Sequence, residues 1–172
     1  MKKQISFSFL LVFLSMCAFS QEKIEVPELT ADQKQQVLYD HMVAYAVSGI
    51  SFAKSLEITP HKYGKYVGDL FTPYWDPAGG LTAFASGLVF ILNGLHPDNQ
   101  MQILEQSEKA VIYQLKNVDL PFRNGPLYGG VTYDEYLQFS DGILTTLAEH
   151  MNLTYLAETT PDKWYKVTLG IK

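Results

Sequence analysis

The sequence predicts an α+β fold: N-terminal helices packed on a four-stranded antiparallel sheet made of two hairpins linked by a helix. Three observations predict it. Before residue 96 the apolar residues recur at helical spacing, and two of the runs open on a capping signal. After residue 100, two strand–turn–strand stretches alternate apolar and polar residues with a period of two. Between them, Thr132-Tyr133-Asp134-Glu135 fits a capping box and opens one further helix.

Taken in order, residues 1–20 read as a signal peptide. Lys2 and Lys3 form a basic start, residues 5–13 a short apolar run, and Ala18-Phe19-Ser20 a cleavage site. Leu14-Ser15-Met16-Cys17 is reminiscent of a lipobox, although Met16 fits it poorly. Cleavage after Ser20 leaves no cysteine, which excludes disulfides, a thiol nucleophile and cysteine–metal sites. It also takes Lys+Arg from 13 to 11 against 18 acids, a net charge of −7. That balance disfavours nucleic acid and anionic lipid as partners. The expectation is an exported protein, periplasmic or extracellular, with no stable membrane insertion after cleavage. Residues 21–29 read as an extended lead-in and 30–172 as a single domain.

Thr30 with Gln33 fits a capping box for the first helix. Its apolar stripe is Leu38, Met42, Tyr45, Gly49, Phe52 and Leu56, in steps of four and three. His41 sits beside that stripe. Thr59-Pro60 starts a second helix, with Pro at the first helical position. Tyr63, Tyr66, Val67, Leu70, Phe71 and Tyr74 give it an aromatic face, read as core or as the wall of an apolar pocket. Trp75-Asp76-Pro77 breaks it. Residues 81–95 are a nearly all-apolar helix, too short for a bilayer span and suited to the buried centre of a domain.

The first hairpin is expected at 101–106 and 110–118, turning at 107–109. Met101 and Ile103 share one face of it, and Val111, Tyr113 and Leu115 share one on the partner strand. The linking helix is expected over 132–151. The second hairpin follows at 153–158 and 164–171, with Tyr165, Val167, Leu169 and Ile171 on one face. Such alternation means a sheet with one buried face. Residues 119–131, rich in glycine and proline, form a long loop of the kind that serves as a lid or binding loop. Arg123, the only arginine in the chain, lies in it and suits a carboxylate or phosphate.

No catalytic motif is present. The four histidines have no second histidine at helical spacing, and neither a phosphate loop nor a nucleophile elbow occurs. No metal or cofactor is implied. The candidate site residues fall in three places: His41 with Tyr45, then Tyr74, Trp75 and Asp76, then Phe122, Arg123 and Tyr128. Converged, they would make an apolar cavity with a few polar groups, the usual composition of a small-molecule site.

The element order, with the stretch Ile103-Leu104-Glu105-Gln106-Ser107-Glu108-Lys109-Ala110-Val111-Ile112 and the closing hairpin at 153–171, resembles a broad α+β ligand-binding group. It includes haem–nitric-oxide-binding, 4-vinyl-reductase-like and 2-aminothiazoline-carboxylate hydrolase-like domains. The resemblance implies a pocket between helices and sheet. Many hydrolase-like members carry a cysteine near the sheet-to-loop junction. Leu120 stands there in this chain, so no cysteine-dependent activity or metal site is carried over, and no histidine lies in a haem motif. The expectation is a binding module for a small apolar or anionic ligand. A cysteine-independent hydrolase-like enzyme using His41 or Asp76 as a base is one alternative. A protein-interaction module without a small ligand is the other, and a homodimer stays open.

Overall fold

The computed structural model describes residues 27–172. The expected signal peptide, the lipobox-like stretch and most of the lead-in lie outside the described residues. The fold is α+β, as the sequence predicts. Three helices come first: α1 (Ala31–Ser55), α2 (Pro60–Phe71) and α3 (Gly80–Gly94). Strands β1 (Gln100–Gln106) and β2 (Ala110–Lys116) form the first hairpin. Helix α4 (Tyr133–His150) links it to the second, β3 (Leu153–Thr159) and β4 (Tyr165–Ile171).

Both capping boxes form. Thr30 and Thr132 accept from the N–H groups of Gln33 and Glu135, whose side chains reach back to the cap N–H. Thr59 accepts from the Lys62 N–H, with Pro60 at the first helical position.

The four strands are antiparallel in the order β1-β2-β4-β3. Val111, Tyr113 and Leu115 of β2 and Tyr165, Val167 and Leu169 of β4 point to the same, buried face. The two strands pair with Leu115 opposite Tyr165 and Val111 opposite Leu169. Helices α3 and α4 cover that face with Leu81, Phe84, Leu88, Leu147 and Met151. A second cluster sits apart from the sheet: Tyr39, Val43, Val47 and Ile50 of α1 close over Phe122, Val131 and Phe139. Ile143 of α4 packs against both. Burial at this scale supplies the main driving force, about 1.5–3 kcal/mol per large apolar side chain.

Four expectations change. The stripe Leu38, Met42, Tyr45, Phe52 and Leu56 faces outward, because α1 buries its opposite face, with Tyr39, Val43, Val47, Ile50 and Ala53. On α2 the buried residues are Pro60, Gly64 and Gly68. Tyr66, Leu70, Phe71 and Tyr74 are exposed, while Tyr63 and Val67 are half-buried. Helix α3 is not central: it buries one face on the sheet and leaves Phe90 and Ile91 exposed. The stretch Pro77–Gly94 is apolar enough by length and composition to cross a membrane, and only 22% of it is buried. In the sheet, β1 is an edge strand exposed along most of its length, with a bulge between Ile103 and Glu105, and both Ile103 and Ile171 are exposed.

Candidate functional site

The cavity that gathers polar chemistry lies at one end of the sheet. It forms where β2 ends, where the β3–β4 turn returns, and where the 117–131 connection meets the start of α4. Its volume is about 460 Å³. Lys116, the last residue of β2, and Lys163, just before β4, supply two of its walls. They come together because β2 and β4 pair in the middle of the sheet. Lys116 holds its ammonium 5.2 Å from the centre of the Trp164 ring, a cation–π contact that orients it.

The loop supplies the third cation. Asn117 takes a left-handed backbone conformation (φ 70°) that turns the chain off the strand. Its Nδ2 donates to the Asp98 carbonyl at 2.8 Å. Its Oδ1 accepts from Arg123 Nη2 at 2.9 Å. Asp119 stands 3.9 Å from the same guanidinium. Arg123 is thereby aimed at the cavity by a short turn, Leu120–Phe122, rather than left on a free loop.

Phe122 and Tyr133 provide the apolar wall. Phe122 is buried, its ring tilted against Tyr133 at 5.7 Å and Tyr136 at 5.3 Å. Burial pushes the Tyr133 phenol well above its ordinary range, and the negative charge of Asp119 adds to this. The phenol therefore stays protonated and is available as a donor. Burial likewise pushes Tyr136 up to about 12. Three cations, one acid and two aromatic rings around one cleft suit a small anion that carries an apolar body.

The residues singled out from sequence do not meet in one place. Phe122 and Arg123 line this cavity. His41 and Tyr45 lie on the outward face of α1, with Tyr45 79% exposed. Tyr74 is exposed, and the Trp75 ring packs edge-on against Phe84 at 4.9 Å in the sheet-side core. His150 Nε2 donates to the Trp75 carbonyl at 2.9 Å. Asp76 uses its carboxylate as a cap, accepting from the Ala78 N–H at 2.9 Å. Tyr128 is exposed in a short turn, Tyr128–Gly130, packed on α1.

Sequence reasoning missed Lys116, Asn117, Asp119, Tyr133 and Lys163. The one sequence signal for them is the pair Lys116-Asn117 at a strand end, and it gains meaning only once β2 is known to pair with β4. Among the described residues no group of three or more His, Cys, Asp or Glu side chains is placed to hold a metal ion.

No family model matches the chain, and no curated protein matches it by sequence. Among solved structures, the crystal structure of an Fe(II) unliganded H-NOX protein mutant from K. algicida is similar. The match covers 98% of this chain and 89% of that chain, at 11% identity and a TM-score of 0.41. At that identity and score the likeness transfers no ligand and no residue role to this chain.

Proposed function

We propose that the protein is an exported small-molecule-binding module whose ligand is a small anion with an apolar, ring-bearing body. The ligand sits in the cleft between Lys116, Arg123 and Lys163, with its body against Phe122 and Tyr133. One observation carries the reading: the chain's single arginine and two of its lysines converge on one aromatic-walled cavity in a net acidic protein. Arg123 is already oriented by Asn117, so little side-chain freedom is lost on binding. Export rests on the N-terminal sequence, with its basic start, apolar run and small-residue cleavage site.

The test is calorimetric titration with benzoate and phenyl phosphate, each carrying one anionic group and one ring. Arg123→Ala should raise the dissociation constant roughly 10- to 100-fold, the worth of a charge-assisted hydrogen bond. Unchanged affinity in that variant removes Arg123 from the site. If neither probe nor any co-purified anion binds the wild-type protein, the reading fails.

A further inference from the structure

The outward face of α1 is an apolar strip on a helix whose opposite face is already buried. Leu38 is 69% exposed, Tyr45 79%, Phe52 66% and Leu56 55%, with Met42 between them. With Gly49, over which Tyr63 of α2 closes, they recur in steps of four and three, the heptad spacing of helices that pair with other helices. Residues 41–53 contain no Asp, Glu, Lys or Arg, so no charge solvates this stretch. A helix apolar on both faces is ordinarily covered on both.

We infer that this face is the contact surface of a homodimer, with α1 of one copy packed along α1 of a second. Charge does not oppose a second copy at this face. The chain is net negative, so two copies meeting elsewhere bring acids together, whereas this strip brings none. The seam is also self-complementary, because one 3.5-residue repeat finds an identical repeat on its twin. Its area fits as well. The five side chains offer on the order of 600 Å². On α2, Tyr66 and Leu70 are exposed on the same face as Tyr63, which closes over Gly49 in the seam. They bring the patch to about 800 Å², the share per partner in a stable dimer. The cavity described above takes no part in this surface.

Sedimentation of protein purified after expression of the full chain tests the inference. The wild type should be a dimer, and Tyr45→Glu with Phe52→Glu should make it a monomer, raising the dissociation constant roughly 100-fold or more. Both side chains are exposed, so circular dichroism should show an unchanged fold. Phe90→Glu, an equally exposed apolar position on α3, should leave the dimer intact. A wild-type monomer at about 100 µM overturns the inference, as does a dimer indifferent to the double change or broken equally by Phe90→Glu. A wild-type monomer that sediments with phosphatidylcholine vesicles assigns the strip to lipid and overturns it too.

Discussion

Tyr113 is fully buried, and its hydroxyl finds no hydrogen-bond partner. Burial pushes the phenol far above its ordinary range, and the nearby Tyr165 adds to this. Tyr155 and Tyr165, by contrast, satisfy one another across 3.0 Å. The two kinds of tyrosine should respond differently to losing an oxygen. Tyr113→Phe removes an orphan group and should leave stability unchanged or raise it by up to about 1 kcal/mol. Tyr155→Phe breaks a pair and should cost about 1 kcal/mol. Urea denaturation compares them, and a larger loss for Tyr113→Phe would mean its hydroxyl has a partner after all. At this scale the site was half legible. Arg123 and Phe122 announce themselves as a lone arginine and a bulky ring in a glycine- and proline-rich loop. Lys116 and Lys163 look like ordinary strand-end charges, because their meeting depends on a pairing of residues some fifty positions apart.

Among elements, the tightest meeting is α2 against α4, and it is made by glycines. A Cβ at Gly64 would overlap the Phe139 carbonyl oxygen, and one at Gly68 would come 2.8 Å from Thr146 Cβ. From the other side, a Cβ at Gly142 would overlap the His61 carbonyl oxygen. At Gly64 and Gly142 the obstacle is backbone, which cannot rotate aside as a side chain can. Gly64→Ala should therefore cost about 2–3 kcal/mol despite the better helix propensity of alanine. Thermal unfolding should register this as a fall of roughly 5–10 °C; a gain in melting temperature would show that α2 and α4 have room to move apart. Of the aromatic face of α2, Tyr63 joins this contact, stacked on Phe139 at 5.3 Å, while the glycines set how closely the helices approach. On α1 the difference from expectation has another cause. Leu38, Met42, Tyr45 and Phe52 make one apolar face, and Tyr39, Val43, Val47 and Ile50 make another. Periodicity along a helix cannot choose between them. The choice is made by Phe122, Val131 and Phe139, which arrive far later in the chain.

Across the whole molecule, the helices, the hairpins and the capping boxes were legible because each is written in local spacing. The strand order was not, because two hairpins can be joined edge to edge in several ways. Ion pairs tie the N-terminal helices to α4, Lys65 with Glu149 at 3.5 Å among them. Lys54 at the end of α1 meets Glu135 at the start of α4 at 2.6 Å. Partial burial works against the Glu135 charge. The Lys54 ammonium and the Thr132 N–H outweigh it and hold the carboxyl below its ordinary range. A carboxyl lowered in the folded state contributes stability that is complete above its unfolded value of ~4.3 and is lost as pH falls through the folded value. Glu135→Gln keeps the capping geometry and removes the charge. It should cost about 0.5–1 kcal/mol at neutral pH, and the difference from wild type should vanish in acid below the folded value. Chemical denaturation at neutral and at strongly acidic pH checks this; an equal loss at both would assign the effect to the cap rather than to the ion pair.

The last strand of the described residues, β4, lies in the interior of the sheet, hydrogen-bonded on both sides. During synthesis, then, β2 waits with one bare edge while α4 and β3 are made. Only residues 165–171 cover that edge and, in the same step, bring Lys163 beside Lys116. The β2–β4 pairing closes a loop of some fifty residues, an entropic cost that local hairpins and helices do not meet. Completion of the Lys116–Lys163 cleft and completion of the sheet-side core are thus a single event, the docking of β4. Until β4 docks, the chain has neither.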